Sequence, residues 1–185
     1  MTRRTNPQGK KIVVAVIDTD FDINHEDLLG NIFTNEGEIP GNGIDDDGNN
    51  FIDDFRGFDF NNESPTIIAE GSGHGTKVAS VLGAIGNNET GITGLNWELS
   101  ILPLRISFLD EYINAQYYVK ALRDKYNESN GAEGAFVVAI NASLGFTDIP
   151  QALIDEVSNT YDELGSSGIL NVGSVPNSNV NIDTD

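Results

Sequence analysis

The stretch Ile12 to Asp18, I-V-V-A-V-I-D, constrains the fold of this chain most tightly. Its apolar residues run without a break into a carboxylate. A strand that is apolar on both alternating faces must be buried on both sides, as in a parallel sheet covered by helices. In such sheets ligands and chemistry gather beyond the carboxyl ends of the strands. Asp18 stands at that end. Taken alone, it reads first as a solvated aspartate where a strand meets a loop.

The rest of the chain supplies the partners of that strand. After a polar arm, residues 1–11, and the first strand, an insertion over roughly residues 30–70 is rich in Gly, Asn and Asp. Loops this long in a compact domain are usually functional or organised by a metal. A helical pattern begins after Gly73-His74-Gly75-Thr76 and ends near Gly83–Gly86. Further strands are expected over Ser100–Ile106, Ala135–Leu144 and Gly168–Val175, and helices over Tyr112–Tyr126 and Pro150–Leu164. Pro103 inside the first of these strands either weakens it or requires a place where no ladder donor is needed. Strands alternating with helices predict an α/β domain: three layers, a mostly parallel sheet, helices on both faces. With 185 residues and no internal repeat, a single domain is expected.

Composition excludes several classes. The net charge of −19 argues against a nucleic-acid partner, which needs clustered Lys and Arg. Hydrophobic residues make up 38% and form no run long enough to span a membrane, so no membrane partner is expected. There is no cysteine, hence no thiol nucleophile, disulfide or cysteine-based zinc site. That absence leaves the compartment open, since exported metal-stabilised proteins also lack cysteine. No apolar signal segment follows the N-terminus, so any export signal would lie outside this sequence. Between Asp18 and Glu70 the acids face only one basic residue, Arg56.

Two stretches carry chemistry. The first, Gly43 to Asp54, reads G-I-D-D-D-G-N-N-F-I-D-D. Calcium takes hard oxygens that acids at alternate positions can aim inward, while a glycine permits the sharp turn. With Gly48 as that glycine, Asp45, Asp47 and Asp54 fall at carboxylate positions, and Asn49 offers a backbone carbonyl. The first ligand position would be Gly43, which has no side chain, so the loop is not a complete EF-hand loop. The alternative is a solvated acidic turn. The second stretch places His74 between glycines at the opening of a helix, where another segment can approach the backbone closely.

Three blocks together resemble the subtilisin-like serine proteases, the subtilases. They are Val16-Ile17-Asp18-Thr19 with His25-Glu26-Asp27-Leu28, then Gly73-His74-Gly75-Thr76 with Val78-Ala79, then Asn141-Ala142-Ser143-Leu144-Gly145. The resemblance spans about Ile12 to Asp183 and implies a subtilisin-like fold and endopeptidase chemistry. It gives Asp18 the role of orienting His74, and His74 that of general base and then acid. Asn177 takes the place of the oxyanion asparagine. Ser143, Leu144 and Gly145 take that of the strand that pairs with the substrate backbone. It also implies structural calcium, with Asp27 and Asn88 as side-chain ligands and backbone carbonyls near Thr90 and Ile92. No organic cofactor is implied. The expected partner is a polypeptide substrate, and the expected location is outside or on the surface of a bacterial cell.

The departures are as informative. Asp20 stands where the family usually has Gly, and Lys77 where it usually has His; neither position belongs to the triad. Pro176 replaces the usual Gly before Asn177 and restricts the backbone there. No Gly-Thr-Ser block, the setting of the family's nucleophile, occurs in the sequence. The expectation is therefore an N-terminal portion of the catalytic domain, inactive alone. Its missing partner is the C-terminal half of the same domain, whose absence would leave apolar surface exposed and favour association. Two other classes compete: a non-catalytic relative acting as a binding module, and a calcium-binding structural domain. The second explains the acids but not the Gly-His-Gly-Thr turn.

Overall fold

In the computed structural model, residues 5, 6, 9–67, 69, 71, 73–175 and 177 are described. Ser72, Pro176, the tail from Ser178 and part of the N-terminal arm lie outside them. Five parallel strands form one sheet: β1 (Val13–Asp18), β2 (Phe58–Asp59), β3 (Ser100–Arg105), β4 (Val137–Ala142) and β5 (Leu170–Gly173), in the order β2-β3-β1-β4-β5. Among the described residues three α-helices lie between them: α1 (His74–Gly83), α2 (Leu109–Glu128) and α3 (Gln151–Ser166). The apolar run at the start of the chain is thus the central strand, flanked by β3 and β4.

Alternation along the strands divides the core in two. Ala15 and Ile17 of β1, with Leu102 and Leu104 of β3 and Ile140 of β4, pack with Tyr112, Val119 and Leu122 of α2 and Leu164 of α3. Val16 and Ile101 point the other way and pack with Ala79 of α1, Phe21, Leu28 and Leu99. The three-layer α/β architecture expected from the sequence is the one the chain adopts. Fully burying each such side chain stabilises the fold by about 1.5–3 kcal/mol.

Pro103 finds the place it requires. Ser100 N–H bonds the Ile12 carbonyl at 2.8 Å, so even-numbered residues of β3 donate toward β1 and odd-numbered ones toward β2. On the β2 side the ladder pairs only Leu104 and Arg105. The missing donor of Pro103 thus falls on the β2 flank between the isolated bridge of Ile101 with Ile32 and the β2 ladder, which begins at Leu104.

Several elements differ from the sequence expectation. Helix α2 starts at Leu109 rather than Tyr112, because the Glu111 carboxylate accepts from Ser107 N (2.6 Å) and Phe108 N (3.1 Å) and caps the earlier turn. Strand β4 spans Val137–Ala142, so Ser143 and Leu144 lie beyond it. The insertion contains a strand that its loop-like composition concealed, the two-residue β2. It is also packed, not loose. Phe51 meets Phe58 and Tyr118 edge-on, each at 4.9 Å between ring centroids, tying the insertion to α2.

Candidate active site

Asp18 ends β1 and is 1% exposed. Its register partners are Arg105 at the end of β3 and, one residue earlier, Ile17 opposite Ala142 at the end of β4. His74 is the first residue of α1. Its Nδ1 lies 2.8 Å from Asp18 Oδ1 and 2.9 Å from Oδ2. Thr19 N–H donates to the same Oδ1 at 2.8 Å. A carboxylate against Nδ1 selects the tautomer with its proton there and leaves Nε2 as the basic nitrogen. The histidine side chain remains 48% exposed while its aspartate is buried. One edge of the ring is thus anchored and the rest faces outward.

The glycines around His74 have distinct reasons. Gly73, the N-cap of α1, has φ +66°, a left-handed conformation that favours glycine. A Cβ on Gly75 would lie 2.3 Å from the Asp20 carbonyl oxygen and 2.9 Å from Asp18 Cβ. Only a residue without a side chain lets the helix start approach the end of β1 this closely. Asp20, a departure from the family pattern outside the triad, is buried at 4% exposure, with its carboxylate against the start of α1. A second support lies behind Thr19. Arg105 donates from Nε to the Thr19 carbonyl (2.9 Å) and from Nη1 to Asp59 Oδ2 (2.7 Å). Arg105 and Asp59 are both buried, and a buried pair of this kind is costly to break by removing one partner.

The substrate-strand candidates leave the same edge of the sheet. Ser143 follows β4 and accepts from Asn141 Nδ2 at 3.0 Å. The Leu144 carbonyl accepts from Ser174 Oγ at 3.2 Å, and Ser174 N–H bonds the Ala142 carbonyl at 3.2 Å. A Cβ on Gly145 would meet nothing within 4 Å, so space is open beside it. A cavity of about 260 Å³ adjoins this strand, lined by Leu109, Tyr112, Leu144, Phe146, Ile154 and Tyr161 among others. Asn177 follows β5 and is exposed.

The two groups of metal candidates lie apart in the chain. In the first, Asp27 is 1% exposed and accepts from Asn88 Nδ2 (2.7 Å) and Ile92 N–H (2.8 Å). The Asn88 bond, then that of Ile92, holds its carboxyl below the ordinary value. Thr90 joins through its N–H to Asn88 Oδ1 at 3.3 Å. The chain thus brings together all four residues of this set. In the acidic loop, Asp45 and Asp47 come together with Glu38, each offering a carboxylate oxygen, all within 4.8 Å of one another. Glu38 was invisible to a reading that ran forward from the loop. It is buried, and its oxygens accept from Asp46 N, Asp47 N and Asp53 N. Asp54 faces inward instead, accepting from Asn35 Nδ2, Asn49 Nδ2 and Tyr118 Oη. Burial nevertheless pushes its carboxyl up to about 6.

The parallel three-layer fold and the buried aspartate behind an exposed histidine define the class as a subtilisin-like α/β domain. The family model for subtilases matches residues 9–185, and the chain belongs to that family. It is 33% identical over 162 residues to subtilisin-like protease 1 of Plasmodium vivax, covering 85% of this chain and 23% of that protein. It is 28% identical over 146 residues to thermitase of Thermoactinomyces vulgaris, covering 79% of this chain and 43% of thermitase. The chain thus spans less than half the length of these relatives. In fold it is similar to the epidermin leader peptide processing serine protease of Staphylococcus aureus, with a TM-score of 0.59 at 18% identity over 94% of this chain and 39% of the other.

Proposed function

We propose that this chain carries the acid–base half of a serine endopeptidase. The contact of His74 Nδ1 with the buried Asp18 carboxylate carries the reading, because it pre-sets both the tautomer and the orientation of the imidazole. In the reaction, His74 Nε2 takes the proton of a serine hydroxyl as that oxygen attacks the peptide carbonyl. It then gives the proton to the departing amine. Asp18 stays ionised and stabilises the imidazolium between the two transfers. Asn177 donates to the oxyanion, an interaction whose loss costs about 10²–10³ in rate. The nucleophile in this reading is a serine in a Gly-Thr-Ser setting, a block that does not occur in this sequence. The segment Ser143–Gly145 takes the substrate as an added strand, and the adjoining cavity receives an apolar side chain.

We further propose two structural calcium sites. Asp27, Asn88, Thr90 and Ile92 build the first. Asp45, Asp47 and Asn49, joined by Glu38, build the second, with Asp54 supporting it. At the second the donor set fits: the carboxylate oxygens converge, and Asp47 Oδ1 is buried without a hydrogen-bond partner. Calcium would supply charge compensation there and cross-link the insertion. Among the described residues no helix is long and apolar enough to cross a membrane. The reading places the full-length protein outside the cell or on its surface.

The test is peptide hydrolysis by the full-length protein. His74→Ala is expected to lose several orders of magnitude in kcat, in the range of about 10⁴–10⁶. Turnover near the wild-type value would remove His74 as the base.

A further inference from the structure

We infer that Asp20 is a positioning residue for His74, acting on the backbone on both sides of the histidine while Asp18 acts on its ring; this rests on the protease reading of the site. Asp20 Oδ2 accepts from Gly73 N–H at 3.0 Å, and Oδ1 from Gly75 N–H at 3.2 Å. Those two residues bracket His74. One carboxylate therefore fixes the peptide groups before and after the base.

The local sequence explains why a distant residue does this. A helix start leaves backbone N–H groups unpaired, and an N-cap side chain ordinarily accepts one of them. The N-cap of α1 is Gly73, which has no side chain, and no side-chain cap is formed there. In a capping box, one side chain accepts from an early helical N–H and a second returns to the N-cap N–H. Here the single carboxylate of Asp20 takes both kinds of donor from across the site. The partial positive charge of the helix start favours an anion at that point.

The surroundings are shaped to admit this carboxylate. A Cβ on Gly71 would lie 2.9 Å from Asp20 Oδ2, and one on Gly75 would lie 2.3 Å from the Asp20 carbonyl oxygen. Two residues on, Asp22 N–H donates to Thr76 Oγ1 at 2.8 Å. From Asp18 to Asp22, alternate residues bind the start of α1 in turn: ring, backbone, then the Thr76 hydroxyl. A glycine at position 20, the usual family residue, makes no side-chain contact of this kind.

A mere stabiliser of α1 and a positioner of His74 differ in what they move. Asp20→Ala in the full-length protein is expected to lower kcat about tenfold to a hundredfold, the scale of small misplacements at a reacting centre. KM is expected to stay within about twofold, because no substrate-binding group is touched. Asp20→Asn, whose amide oxygen can accept only one of the two bonds, is expected to fall between alanine and wild type. Glu111→Ala, which removes the analogous cap from α2, is expected to lower thermal stability and leave kcat unchanged. The second readout is the His74 Nδ1 proton resonance in protein labelled with ¹⁵N-histidine, assigned by its absence in His74→Ala. Both Asp20 variants are expected to shift or broaden it. The inference is overturned if kcat and this resonance stay at wild-type values while the variants lose only thermal stability. If Asp20→Ala does not fold, Asp20→Asn decides by the same criteria. If the wild-type full-length protein hydrolyses no peptide, the protease reading fails, and the resonance alone decides the role of Asp20.

Discussion

Asp18 is held on three sides, by Thr19 N–H, by the His74 ring and by its place at the end of the central strand. Asp18→Asn keeps the shape and reverses the hydrogen-bond demand on Nδ1, favouring the wrong tautomer. It is expected to lower kcat of the full-length protein by about 10⁴ with little change in KM. Stopped assays with a chromogenic peptide check this, and a loss below tenfold would count against the orienting role. Asp18 and His74 were legible in the sequence because their residue types and flanking glycines are set by chemistry and by close backbone approach. Asp20 and Glu38 were not. Each becomes significant only through burial and through N–H groups brought to it by the fold, and neither has a local pattern that announces those donors. Asn177, placed by the resemblance alone, is exposed beyond β5.

At the scale of elements, the start of α1 must lie against the end of β1, and Gly75 permits it. Gly75→Ala forces a Cβ to within 2.3 Å of a backbone oxygen. It is expected to destabilise the domain by about 1–3 kcal/mol and to lower activity in the same variant, as read by urea titration and turnover. The insertion makes a separate prediction. Millimolar calcium is expected to raise the thermal midpoint relative to chelator, by linkage to the native state. Glu38→Gln combined with Asp47→Asn is expected to reduce that rise; an equal rise in the variant would leave the Asp27 set as the source. The composition of the insertion showed its acids and turns but concealed β2. Two residues, Phe58 and Asp59, are too few to display a period, and their pairing is dictated by β3. Helix α2, by contrast, was visible over most of its length, and only the Glu111 cap moved its start.

For the molecule as a whole, the order β2-β3-β1-β4-β5 puts Asp18, Ser143 and Ser174 at the ends of three neighbouring strands, with Asp18 against the start of α1. The sheet is buried on both faces around β1 and β3, while Leu170 on the edge strand β5 is 64% exposed. Stability therefore concentrates in the centre. Leu104→Ala, at a fully buried position between sheet and α2, is expected to cost about 2–5 kcal/mol, measured by denaturant unfolding. The alternation of strands and helices gave away the layers, because period is a local property. The strand order follows from pairings between distant segments, which local period cannot reveal. The account turns on whether His74 activates a serine. The most direct measurement exposes the full-length protein and its His74→Ala variant to a fluorophosphonate that labels activated serines, then locates the label by mass spectrometry. One labelled serine in the wild type, lost in the variant, is the predicted result. No labelling, or equal labelling in both, would contradict it.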